Sequence, residues 1–440
     1  MADSTYSPTP HPWPFAAWSP VIGTARVVTA LAAAPDILLL SALAAMLFRP
    51  PEVVCYAVDR IAFGLLLCGF LLRAAILRRP LSLKRTIVWP LGVLLVLSLA
   101  SLGTQPYEVK AWSVLAAKFL VPYALFHIAR QSFREEASRR RLQTFSLLVL
   151  VYLCFIAVAF FVGARSLIFP RFILDESLSI HVNRARGPFL QAVANGVTLN
   201  ILGLIALDAY RRGRMPKILG AVLLVALPLA VLATKTRAVW LSFLASAVAL
   251  LLLNSDRRVR RVCRYVLIVA TIAVLLALAS NGTAASLLDR FEERSPIDVR
   301  FAVYRAAWDM FLERPLLGWG VSRMPAQLEQ RVSDFHLHQF VVHNTYLEIL
   351  VEHGLLGLAL YAWLLFQLFR LSRSRDLGQQ PGAFLDRGFR EIWPVILGVY
   401  LLNGFFVVMN YQFVNGFLYT LAGILAGQDR AREREYALAA

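Results

Sequence analysis

Lysine is nearly absent from this chain. Its 440 residues hold only Lys84, Lys110, Lys118, Lys217 and Lys235, so arginine supplies most of the 45 basic side chains. Acidic residues are scarce as well, 27 in all, which leaves a formal net charge of +18. The four cysteines, Cys55, Cys68, Cys154 and Cys263, lie in or beside apolar runs and no two stand at metal-ligand spacing. They read as small packing residues rather than disulfide partners or ligands. Asp-x-Asp and His-Glu-x-x-His motifs are missing, and no Ser or Cys nucleophile arrangement is recognisable. Metal-assisted hydrolysis and covalent catalysis therefore find no support. Repeats, low-complexity tracts and a separate soluble domain are also missing. The first twenty residues lack a basic segment followed by a short apolar core, so no cleavable signal peptide is expected.

What is plentiful is apolar sequence. Hydrophobic residues make up 58% of the chain and mean hydropathy is +0.62. A run of about 20 such residues spans a hydrocarbon core of about 30 Å. Candidate spans fall at 26–48, 57–77, 87–103, 110–129, 143–163, 188–209, 216–233, 238–253, 264–280, 344–369, 391–410 and 412–427. The expected fold is all-α and polytopic: about twelve transmembrane helices in a single membrane domain, 1–440. Basic clusters such as Arg139/Arg140/Arg141, Arg211/Arg212/Arg214/Lys217 and Arg257/Arg258/Arg260/Arg261 sit between alternate spans. That placement marks the cytoplasmic side, with both termini there. The charge is topological and implies no nucleic acid; membrane lipids are the expected surroundings.

Two connections then face away from the cytoplasm, a smaller loop at 164–187 and a large one at 281–342. Within the large loop a helix is expected near 296–313, lying on the membrane or capping a cavity. The loop carries Arg290, Arg294, Arg300, Arg305, Arg314, Arg323 and Arg331 on the side where basic residues are normally rare. An anionic ligand would account for them. Arg237, at a span boundary on the same side, is placed to hold phosphate through its planar fork, although a snorkelling role fits the position too. Thr345 and Glu348 have capping-box spacing at the start of a span. His343 precedes that span at the positive end of its dipole, which favours a neutral imidazole able to accept a proton. Glu348 and Glu352 are one turn apart inside the span, where a carboxylate needs a partner, either an arginine or a histidine. His336, His338 and His343 are close enough in sequence to raise a metal site, but no carboxylate cluster supports one.

These residues, taken in order, resemble a known family. Thr236-Arg237-Ala238, Arg300-x-x-x-Tyr304, Pro315-Leu316-Leu317-Gly318-Trp319-Gly320 and His343-Asn344-Thr345-Tyr346-Leu347-Glu348-x-x-x-Glu352-x-Gly354-x-x-Gly357 follow the pattern of the O-antigen ligase/polymerase superfamily. Arg186-Gly187-Pro188-Phe189 with Asn195 is similar to its earlier Gly-x-Phe element, with Ala194 where proline usually stands.

The resemblance implies a GT-C-like glycosyltransferase of the bacterial inner membrane with a periplasmic active site and no cofactor or metal. Its donor would be undecaprenyl diphosphate-linked O-antigen and its acceptor lipid A-core. His343 would be the catalytic base. Arg237 and Arg300, then Arg186 and Arg305, would bind the diphosphate, with His338, Asn344 and Glu348 in support. One large loop rather than two, no Arg-x10-Gly motif and no extra C-terminal region favour a ligase. An O-antigen polymerase is the alternative within the superfamily. A non-enzymatic flippase or anion transporter, with the loop as a lid, is the alternative outside it.

Overall fold

The computed structural model describes residues 34–48, 57–76, 87–178, 182–279, 295–332, 341–373 and 386–439. Every regular element among them is helical. In chain order they are α1 (Pro35–Leu47), α2 (Val58–Ile76), α3 (Trp89–Gly103), α4 (Val109–Ser132) and α5 (Glu136–Phe161). Next come α6 (Ala192–Arg211), α7 (Lys217–Ala233), α8 (Arg237–Leu253) and α9 (Arg257–Ala279). Two helices of the large loop follow, α10 (Ser295–Glu313) and α11 (Met324–Arg331), then α12 (Thr345–Arg370), α13 (Arg387–Gly404) and α14 (Gln412–Ala439). Each of the apolar stretches noted above overlaps one of these helices, and residues 26–33, 77 and 280 of them lie outside the described residues. Four, α4, α5, α6 and α12 with its last turn, have both the length and the composition to cross a membrane. The apolar helices α1, α3, α7 and α8 are shorter, 10–17 residues. The chain has the make-up of a helical membrane protein.

Packing rather than amphipathicity sets this arrangement, because lipid gives apolar helices no reason to leave it. Close approach does the work instead. On α14, Gly416, Gly423 and Gly427 face α4, and a Cβ at Gly423 would stand 2.3 Å from the Phe126 carbonyl oxygen. That row of missing side chains brings the two backbones together at the centre of the bundle. Buried amides join further helices: Asn403 Nδ2 of α13 donates to Ser242 Oγ of α8 at 2.9 Å, and Ser246 Oγ donates to Asn200 Oδ1 of α6 at 3.2 Å.

The two ends of the bundle differ. At one end, here the basic end, arginines are neutralised internally. Arg141 pairs with buried Asp36 at 2.6 Å, Arg212 with Asp208 at 2.8 Å and Arg214 with Glu136 at 2.9 Å. Arg211 bridges Asp208 and Asp386, and Asp386 also caps α13 by accepting the Phe389 amide at 3.0 Å. At the other, the loop end, Val321 meets the end of α3 at Ser101 and Gln105, and Thr345 meets the chain after α13 at Val407 and Met409. The connection between α5 and α6 folds as short 3-10 turns and joins the end of α7 there, through the Ala185 amide and the Ala233 carbonyl at 2.9 Å.

Candidate functional site

The site is built on a broken helix. Gly354 interrupts α12 with φ +64° and ψ −161°, a conformation open in practice only to glycine. The break strips helical partners from the Val351 and Glu352 carbonyls and from the Leu355 and Leu356 amides. Each finds a replacement in the segment Pro315–Gly320. The Trp319 amide donates to Val351 O and the Gly320 amide to Glu352 O, both at 2.9 Å. In return the Leu355 amide donates to Pro315 O at 2.8 Å and the Leu356 amide to Leu316 O at 3.3 Å. Four backbone groups that a hydrocarbon surrounding would leave unpaired at a cost in free energy are thereby satisfied.

The inserted segment is fixed from outside as well. The Trp319 indole donates to Met310 O of α10 at 2.7 Å, and its ring is flanked by the guanidinium of Arg314 at 4.3 Å and that of Arg331 at 5.2 Å. Arg331 also pairs with Glu313 at 2.9 Å. These two arginines, counted above among the anion-binding candidates, are engaged in holding the loop. The Val321 amide donates to Ser101 Oγ at 3.0 Å, and Gln105 Nε2 to the Val321 carbonyl at 3.0 Å, tying the loop to the end of α3.

The start of α12 is fixed just as fully, though not by a capping box. Asn344 is the cap: its Oδ1 accepts the Tyr346 and Leu347 amides, both at 3.0 Å. The Thr345 hydroxyl donates to Val407 O at 2.8 Å and accepts the Met409 amide at 2.9 Å, so it joins the chain after α13 instead. The Tyr346 hydroxyl donates to Leu401 O at 2.8 Å. Among the described residues, Glu348 and Glu352 pair with neither an arginine nor a histidine. Both accept from Lys118 Nζ of α4, at 2.7 and 3.0 Å, and all three side chains are buried. Lys118 lies in a π-helical turn of α4, Ala116–Leu120, a feature common where a side chain must be re-aimed. At the next residue after Glu352, His353 Nε2 meets Ser98 Oγ of α3 at 2.9 Å.

His343 stands at the apex of this frame, immediately before the cap. Its backbone is left-handed, φ +46°, an uncommon conformation for a side-chain-bearing residue that persists where the surroundings impose it. The Tyr304 hydroxyl of α10 donates to the His343 carbonyl at 3.4 Å. Partial burial and the cation of Arg300, also on α10, hold the imidazole below its usual pKa, so the neutral form is favoured. Arg300, Tyr304, His343 and Asn344 are thus gathered in one corner.

The remaining candidates are distributed. Arg237 is exposed at the first position of α8, after Lys235 with φ +45°. Arg305 is exposed on α10, roughly 140° around the helix from Arg300 at about 100° per residue, on the face that carries Phe301, Trp308 and Leu312. Arg186 is 2% exposed. Its Nε donates to Ile173 O at 2.8 Å and its terminal nitrogen to Asp175 O, so the guanidinium is directed into the protein. Its neighbour Asn195 donates to Ala185 O at 2.9 Å, so this element of the sequence forms a structural corner. His336 and His338 lie outside the described residues.

A membrane-embedded helical bundle, with a loop module locked into a broken helix and a histidine–arginine corner above it, is the class these features define. Residues 219–362 match the family model described as O-antigen ligase, and this match supports membership of the O-antigen ligase superfamily. The matched stretch includes Arg237, Arg300, the Pro315–Gly320 insert and all of the His343–Gly357 run. A comparison with curated proteins finds no match.

Proposed function

We propose that the protein is an inner-membrane glycosyltransferase that moves O-antigen glycan from undecaprenyl diphosphate to lipid A-core at its loop end, which faces the periplasm. In this reading the acceptor hydroxyl oxygen attacks the anomeric carbon of the donor. The hydroxyl proton passes to His343, and the bond to the diphosphate oxygen breaks, with its electron pair leaving on undecaprenyl diphosphate. A single displacement inverts the anomeric centre. A positioned base of this kind contributes ~10²–10⁴-fold. Arg300 and Arg237 hold the negative charge that develops on the leaving group. The observation that carries the reading is the corner itself: an accessible imidazole kept neutral, next to an arginine, on a backbone that the Asn344 cap, Thr345 and the Lys118 bridge do not allow to shift.

The test is reconstitution of the purified chain with lipid-linked O-antigen and lipid A-core. The expected product is lipid A-core carrying the glycan, formed in the presence of EDTA. Glycan-on-glycan extension without lipid A-core would instead identify a polymerase. Transbilayer movement with no covalent product would identify a flippase.

A further inference from the structure

A cavity of about 340 Å³ opens at the basic end, between α6, α7, α8 and α9, remote from His343. Its walls are mainly aliphatic. At its mouth, where α6 ends and α7 and α9 begin, stand Tyr210, Lys217, Arg258 and Arg261; at its inner limit are Asn200 and Ser246. No residue lining it is acidic. Elsewhere at that end Arg141, Arg211, Arg212 and Arg214 are each paired with a carboxylate. Among the described residues no carboxylate pairs with the Lys217, Arg258 or Arg261 side chain.

Depth identifies the occupant. From Tyr210 to Asn200 the cavity follows ten residues of α6, roughly 15 Å at about 1.5 Å per residue, which is half of a hydrocarbon core of about 30 Å. A cleft one leaflet deep, apolar within and cationic at the rim, fits a molecule with the same division. We propose that it binds one anionic phospholipid of the cytoplasmic leaflet, with the phosphate at Lys217, Arg258 and Arg261 and an acyl chain between α6 and α7. The long chain of a polyprenyl carrier exceeds that depth.

The full-length protein in detergent, analysed by native mass spectrometry with dioleoyl phosphatidylglycerol or dioleoyl phosphatidylcholine, tests this. The expected result is at least one phosphatidylglycerol retained about tenfold or more tightly than phosphatidylcholine. Each basic residue beside an anionic lipid is worth roughly fivefold, so Lys217→Gln with Arg261→Gln should remove most of that preference. Leu224→Trp, which fills the cleft, should weaken retention of both lipids. Ala221→Trp at the exposed rim replaces it should Leu224→Trp fail to fold. Three results would each overturn the proposal: equal retention of the two lipids, a preference that survives the double substitution, or tighter retention of undecaprenyl phosphate than of phosphatidylglycerol.

Discussion

Gly354 of the broken helix and Gly318 of the loop lie backbone against backbone. A Cβ on Gly354 would sit 2.3 Å from the Leu316 carbonyl oxygen, and one on Gly318 would sit 2.5 Å from that of Val351. Both glycines also have positive φ, +64° and +70°. Gly354→Ala is therefore expected to destabilise by at least ~1–2 kcal/mol from the left-handed backbone alone, with the clash added to it. Thermal unfolding in detergent should show a lower midpoint, and transfer activity should fall with it.

Lys118 is one cation between two carboxylates, all three buried. Lys118→Met should cost about 3–5 kcal/mol, because it leaves uncompensated charge. Adding Glu348→Gln and Glu352→Gln to that variant should restore much of the loss. Unfolding midpoints of the single and triple variants measure this; a triple variant as unstable as the single would show that packing, not charge, is what Lys118 supplies.

His343 is held below its usual pKa by burial and then by Arg300. A base works in its neutral form, so kcat/KM should be flat near neutrality and fall only as pH drops through a value below the unperturbed ~6.5. Arg300→Gln removes the second cause and should move that acid limb to higher pH, whatever it does to the maximum rate. An unmoved limb would mean that the titrating group is not His343.

Lysine should be a poor substitute at Arg300 and Arg237. It keeps the charge but not the planar fork that meets two phosphate oxygens at once. Alanine at either position should slow transfer by about 10²-fold or more, comparable to losing one oxyanion donor. Lysine should recover little of this in assays with several acceptors. A defect that varied with the acceptor would point to lipid A-core as the group held.

Arg186→Ala should behave differently. It deletes bonds to the Ile173 and Asp175 carbonyls inside the connection between α5 and α6. Lower thermal stability with an unchanged donor KM is expected, whereas a raised KM in a stable variant would return Arg186 to the donor site.

Helices were legible in the sequence because apolar runs of the right length leave few alternatives in a bilayer. Apolar residues at helical spacing also indicated the helix in the large loop, but not which face of α10 is packed. Phe301, Trp308 and Leu312 are exposed, while Val303, Ala307 and Met310 form the packed side. Both faces are apolar, and only the tertiary partner decides between them. The His343–Arg300 corner could be anticipated from motif residues, but its support could not. Nothing local says that a π-helical turn aims Lys118 at α12, some 230 residues away. A signal was present nonetheless: two carboxylates one turn apart in an apolar run require a cation, and Lys118 is a lysine within another such run. The capping box failed for a different reason. The helix begins at Thr345, so Asn344 occupies the cap position from which a side chain reaches the Tyr346 and Leu347 amides, and the Thr345 hydroxyl is engaged at Val407 and Met409.

The four bonds between Pro315–Gly320 and the break in α12 also govern length. Two from the loop and two from the helix interlock like teeth, so neither strand of backbone can slide by one residue without every pair missing. A single residue inserted between Pro315 and Gly320, or between Val351 and Leu356, would displace one row of teeth against the other and detach the loop from the bundle. Both stretches should therefore tolerate some exchange of side chains but no change in residue count, a constraint on spacing more severe than the constraint on composition.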